Sequence, residues 1–301
     1  MDLQNHICTY LNYCTEQKTL SPKTTKAYRT DLQQFFEFSH NEFTIEHIRE
    51  YISHIHKEFK PKTAKRKIAS LKAFTHYPMV QDIITANPFD KIDTSFREPV
   101  VLPKTIPFNV ITAILSNAYS YKKSCRTSYS KKCAVRDIAV LEILFATGAR
   151  VSEICTLTPD AIDLDEHTLK IFGKGSKERI IHIENPDVLM ALKTYHNEFS
   201  DEISATGFFF VNKLHNRLSE QSVRAMINKY TTAAGYDRHI TPHMFRHSFA
   251  TLLLEEDVDI RYIQKILGHS SITTTQIYTH VAMAKQKEIL SLKHPRNKIS
   301  I

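Results

Sequence analysis

The sequence predicts a mainly α-helical chain of two domains with a single β-hairpin. Three observations carry this. Glycine occurs only six times in 301 residues, too rarely for a turn-rich β architecture. Apolar residues recur at three- and four-residue spacing along most of the chain, as in helices with one buried face. One stretch alone, Thr168 to Ile183, reads as paired strands about a GKGSKE turn. The length fits about two domains, and 42% apolar with 10% aromatic residues is enough material for real cores.

The elements follow in order. Ser21-Pro22 reads as an N-cap with proline at the first helical position. Behind it Ala27, Tyr28, Leu32, Phe35 and Phe36 give a helix to about Phe38. Thr44 caps a helix carrying Ile48, Tyr51, Ile52 and Ile55. Residues 57–72 hold seven basic residues against one acidic, and Ala64, Ile68 and Leu71 form their packed face, so Lys62, Lys65, Arg66 and Lys72 point outward. Pro88, Pro99, Pro103 and Pro107 then break the chain. The expected division is a first domain at 1–98, a proline-rich linker at 99–107 and a second domain at 108–301. Residues 108–118 are helical, and 119–133 (YSYKKSCRTSYSKKC), basic and without apolar period, read as a loop. Residues 135–147 form a strongly apolar helix running into Gly148, and a further element begins at Val151. From residue 219 the pattern is helical to about Leu292, with breaks at Gly235 and Gly268.

The net charge of +8 and isoelectric point near 9.1 fit a polyanionic partner. Residues 1–103 hold 14 basic and 12 acidic residues, so any nucleic-acid face there is local. Lys62, Lys65 and Arg66 are its candidates, with Lys122 and Lys123, and then Lys131 and Lys132, in the second domain. The five cysteines are odd in number and lack CxxC spacing, which argues against a disulfide framework and a zinc cluster. No secretory leader or apolar run of membrane-spanning length is visible, so a reduced, cytoplasmic protein without membrane contact is expected.

The chemistry-bearing residues are Arg150, Lys174, His243, Arg246, His269 and Tyr278. Together they suit holding a phosphodiester, attacking it with a phenol and protonating the alcohol that leaves. A pentacoordinate phosphate carries extra negative charge, and arginine's planar fork reaches two of its oxygens while staying charged. Arg246 lies three residues after His243, which places both on one helix face. A phenol of pKa ~10 is about a thousandth ionised at neutral pH, so Tyr278 needs nearby cations and a proton acceptor, for which His243 is suited. His269 donates to a non-bridging oxygen. A hairpin lysine, Lys174 or its rival Lys177, is the general acid. His243 and His247 also have the i, i+4 spacing of a zinc pair, but Met244 stands where HExxH requires glutamate; no metal or other cofactor is expected.

The stretches LFATGARVSEIC, GKGSKERIIHI, TPHMFRHSFATLLLEE and ILGHSSITTTQIYTH resemble the successive boxes of the tyrosine recombinase/integrase family. SPKTTKAYRTDLQQFFEF is similar to the first helices of that family's core-binding domain. The resemblance spans roughly residues 10–290. It implies a helical, SAM-like core-binding domain followed by a mostly helical catalytic domain with a small antiparallel β-sheet, closing as a C-shaped clamp on DNA. It favours Lys174 over Lys177 and gives Glu153 a supporting role. The implied reaction is cleavage to a 3′-phosphotyrosyl intermediate and a free 5′-hydroxyl, then strand exchange through a Holliday junction. The implied partners are double-stranded recombination sites, a homotetramer on synapsed DNA, and accessory DNA-bending or directionality factors, in a nucleoid-associated protein. The apolar residues Ala282, Ile289 and Leu292 after Tyr278 are expected to dock on a neighbouring protomer.

Two departures from the family pattern stand out. The 119–133 segment looks longer than the usual link between the first two catalytic-domain helices. No room precedes residue 10 for an arm-binding domain, which points to the two-domain plan of Xer-like, integron-like and some mobile-element enzymes. Two other functions share the motifs: a type IB topoisomerase-like enzyme that relaxes DNA as a monomer, and a DNA-binding relative without catalysis.

Overall fold

The computed structural model describes residues 3–81, 84–95, 103–173 and 178–268. The chain divides into two compact units, Met1–Val100 and Val101–Ile301. It is mostly helical, with a small three-stranded antiparallel sheet.

The first unit is built from α1 (Leu3–Glu16), α2 (Pro22–Phe38), α3 (Ile45–Glu58) and α4 (Pro61–Val80). Its helix starts are those expected: the Ser21 hydroxyl accepts the Thr24 N–H at 3.2 Å, and Thr44 accepts that of His47 at 3.2 Å. Phe35, Phe36, Ile48, Tyr51, Ile55, Leu71 and Phe74 are buried together. The aromatic rings meet edge-on, Phe35 with Tyr51 at 5.1 Å and Phe36 with Phe74 at 5.7 Å, the arrangement that the ring quadrupole favours. Beside this apolar cluster lies a buried polar knot. Asp31 on α2 accepts hydrogen bonds from Arg66, from Lys67 at 3.4 Å and from Ser70 at 2.7 Å, all on α4. Lys67 is only 2% exposed and also donates to Gln34.

The second unit is organised around α6 (Ser128–Thr147), which is buried on most sides and packs against α5 (Phe108–Ser124), α8 (Pro186–Glu198) and α11 (Pro242–Glu255). The stretch read as a loop, 119–133, is instead the last turns of α5 and the first turns of α6, with 125–127 between them. The segment is therefore no long link. Two tertiary contacts and a local cap hold these polar turns helical. Tyr119 donates to Glu142 at 2.8 Å, Lys229 lies 3.8 Å from the Tyr121 ring centroid, and Thr127 caps α6 through the Ser130 N–H at 3.1 Å.

After α6 come the short α7 (Val151–Cys155), then β1 (Ile162–Asp163), β2 (Thr168–Phe172) and β3 (Glu178–His182), which pair antiparallel in that order. The hairpin register sets Ile171 opposite Arg179 and Leu169 opposite Ile181. Leu169, Ile171 and Ile181 are buried, so Arg179 shares the inward face with apolar neighbours. The chain continues through α8, α9 (Ser200–Thr206), α10 (Glu220–Ala233), α11 and α12 (Ile260–Leu267). Ile106 is tied into this unit, its N–H donating to the Ser248 hydroxyl at 2.7 Å.

Asp31→Ala leaves the Lys67 ammonium buried without its carboxylate. We expect a loss of about 3–5 kcal/mol, read as a lower urea midpoint for the first unit in the full chain. The double variant Asp31→Leu/Lys67→Met should recover most of it. A loss below about 1 kcal/mol would mean that Lys67 reaches water on its own.

Candidate active site

The second unit's site begins where α6 stops. Gly148 adopts φ +58° as the C-cap of that helix, and a Cβ there would lie 2.6 Å from the Phe249 ring and 2.9 Å from Leu267. Only glycine tolerates both the left-handed backbone and that approach. The reversal brings Arg150 to the N-cap of α7. Its backbone N–H donates to Glu153 Oε2 at 2.8 Å, and its Nη1 donates to Glu153 Oε1 at 2.8 Å. The Arg150 side chain remains 36% exposed.

Arg246 occupies a different environment. It is 3% exposed on α11, donating from Nη1 to the Gly148 carbonyl at 2.8 Å and from Nη2 to the Leu267 carbonyl at 2.7 Å. Both carbonyls end helices, where the backbone dipoles leave partial negative charge. His243, one turn earlier and exposed, shares the helix face with Arg246 as its spacing required. Partial desolvation, and then the positive fields of Arg246, Arg150 and Arg224, lower its pKa below the ordinary imidazole value. A lowered pKa favours the unprotonated imidazole, the form that accepts a proton.

Glu153 binds Arg150 and one further cation. Arg179 donates to it from Nη2 at 2.7 Å and from Nη1 at 3.1 Å. Burial pushes the Glu153 carboxyl up, but the hydrogen bonds and charges of Arg179 and Arg150 outweigh this and hold it below the usual carboxylate value. Arg179 is absent from the sequence candidates, and its signal there is indirect: a cation on the same strand face as Ile181 is a buried charge in need of a partner.

The structure thus brings together Arg150, His243 and Arg246 with Glu153. Lys174, Lys177, His269 and Tyr278 lie outside the described residues, as do Ala282, Ile289 and Leu292. Gly268, at φ +65°, caps α12 as its place in the motif predicted. Among the DNA-facing candidates, Lys62, Lys65 and Arg66 are exposed on α4; the Arg66 guanidinium is also bound to Asp31. Lys122, half-buried, and Lys123, exposed, lie in the last turn of α5 rather than in a loop. Lys131 is exposed, while Lys132 pairs with Glu202 at 2.5 Å and lies over the Phe199 ring.

Comparison with known proteins identifies the family. Residues 106–285 match the model of the phage integrase family, and residues 7–81 match its N-terminal SAM-like domain. A tyrosine recombinase of Agathobacter rectalis is 52% identical over 98% of both chains. Tyrosine recombinase XerC of Thermodesulfovibrio yellowstonii is 35% identical, again over 98% of both. Among solved structures, XerH recombinase in a post-cleavage complex with palindromic difH substrate shares the fold at a TM-score of 0.75, with 22% identity, covering 93% of this chain and 82% of that one. The chain belongs to the phage integrase family of tyrosine recombinases.

Proposed function

We propose that this recombinase cleaves and rejoins DNA through Tyr278, with Arg150 and Arg246 holding the scissile phosphate. The observation that carries the reading is the hydrogen bond from Arg246 to the Gly148 carbonyl, 98 residues away in sequence. It gathers onto one turn the two arginines that a phosphoryl-transfer site needs, with His243 beside them.

The Tyr278 oxygen attacks phosphorus and gives its proton to His243. The bond to the 5′-oxygen breaks, and Lys174 supplies the proton that makes the 5′-hydroxyl. Arg150 and Arg246, with His269, balance the charge that builds on the non-bridging oxygens. The phosphotyrosine conserves the bond energy, so reversal by another strand's 5′-hydroxyl rejoins DNA without ATP. Repeated on a second pair of strands, this passes through a Holliday junction.

On this reading residues 1–98 bind the core of the DNA site, 99–107 connect, and 108–301 catalyse. The partners are duplex recombination sites and three further copies of the chain, with accessory bending or directionality factors, in a cytoplasmic, nucleoid-associated assembly. XerH, which shares the fold, was captured on its DNA substrate, and this supports the choice of partner. Among the described residues no helix is long and apolar enough to cross a membrane. The relatives are recombinases along nearly their whole length, so a topoisomerase-like role is not favoured.

A nicked suicide substrate should trap a protein–DNA adduct stable to SDS and to EDTA. Tyr278→Phe removes one hydroxyl, so it should bind DNA normally and form no adduct. An adduct surviving in that variant would identify another nucleophile.

The lowered His243 pKa has a kinetic consequence. The base works deprotonated, so single-turnover cleavage should hold at neutral pH and fall only below the ordinary value of 6.5. His243→Ala should cost about 10²–10⁴-fold in rate and remove that acid limb. An identical limb in the variant would place the titrating group elsewhere.

Lys62→Gln and Lys65→Gln should each flatten the log–log salt dependence of DNA binding by about 0.9. Unchanged slopes would mean that this face of α4 does not meet the phosphate backbone.

A further inference from the structure

We propose that Arg179 is a positioning residue that frees the charge of Arg150 for the phosphate and ties the base of the Lys174 hairpin to the end of α12. The inference rests on the reading of Arg150 and Lys174 given above.

Arg179 begins the inward face of β3, five residues after Lys174 in sequence. Its side chain is 9% exposed. The fork of Nη1 and Nη2 grips both oxygens of Glu153, while Nε donates to the Ile266 carbonyl at 2.8 Å. The backbone of Gly268 lies against the same guanidinium: a Cβ on Gly268 would stand 3.0 Å from both Cδ and Nη1 of Arg179. One side chain therefore joins a strand of the hairpin, the acid behind Arg150, and the turn from which the chain runs to His269 and Tyr278.

The charge arithmetic gives this contact a role beyond rigidity. Glu153 carries one negative charge and holds Arg150 through Nη1 and the backbone N–H. Alone with Arg150, that carboxylate would cancel the charge a phosphate needs. With Arg179 bound to it, the acid is already neutralised, and the trio keeps a net positive charge at Arg150, its more exposed member. A lysine at position 179 restores the charge but not three coplanar donations to two partners.

The test is single-turnover cleavage of a suicide substrate, with DNA affinity and thermal midpoint measured on the same proteins. Arg179→Gln should slow cleavage about 10- to 100-fold, the usual cost of losing an outer-shell partner, while DNA affinity changes by less than about threefold, since most phosphate contacts lie elsewhere. Arg179→Lys should recover part of the rate through its charge. In a Glu153→Gln background, Arg179→Gln should cost little more, because the carboxylate it neutralises is gone. A purely structural role would lower the midpoint of Arg179→Gln, leave cleavage intact well below that midpoint, and add independently to Glu153→Gln; that pattern overturns the proposal. Wild-type protein in the same assay separates the two readings. No Tyr278 adduct in wild type refutes the catalytic reading and this one with it. A wild-type adduct with undiminished cleavage by Arg179→Gln refutes this one alone.

Discussion

A single buried guanidinium sets the geometry of the second unit's site. Arg246 is nearly excluded from water, which costs several kcal/mol unless the charge is met within the protein. It is met by the C-terminal carbonyls of two helices, α6 and α12, each carrying the partial negative charge of an aligned backbone. Hydrogen bonds to a charged donor contribute about 1.5–3 kcal/mol each. Two such bonds from one planar group fix the separation and orientation of the helix ends as well as stabilising them. The left-handed glycines follow from this: Gly148 and Gly268 turn the chain just where the carbonyls must face the arginine, and side chains at either position would collide with Phe249, Leu267 or Arg179. Lysine could not serve, because a single ammonium cannot span two carbonyls with a fixed angle between them.

Buried acids do the complementary work. Asp31 gathers Arg66, Lys67 and Ser70 between two helices. Asp137, also buried, accepts from Arg136 at 2.7 Å and from the Tyr230 hydroxyl at 3.1 Å, joining α6 to α10. Glu153 holds Arg150 and Arg179. In a chain of net charge +8, these carboxylates decide which cations are spent on architecture and which are left to face a polyanion. Arg66 and Lys62 show the difference. They stand four residues apart on one helix and are equally prominent in sequence, yet the first neutralises a buried aspartate and the second has its charge at the surface.

Much of the fold was legible because its signals are local. Ser21-Pro22 and Thr44 start helices through their own side chains, Gly148 and Gly268 end them through a backbone conformation that other residues resist, and the GKGSKE turn announces its hairpin. The 119–133 segment looks like a loop in sequence for the opposite reason. Its helical turns are mostly polar, and the contacts that hold them, Tyr119 on Glu142 and Tyr121 beneath Lys229, involve partners 23 or more residues away.

The sequence by itself determined the secondary elements with strong caps and period, the two-part organisation, and the set of residue types equal to phosphoryl transfer, because each depends on chemistry within a few neighbouring positions. Tertiary structure alone decided which arginine is buried and which exposed, that Glu153 is shared by two guanidinium groups, that Lys67 lies inside the first unit, and that burial and neighbouring arginines lower the His243 pKa. Burial and electrostatic coupling are properties of distance in space, and Arg246 and Gly148 become neighbours only when the helices between them have packed.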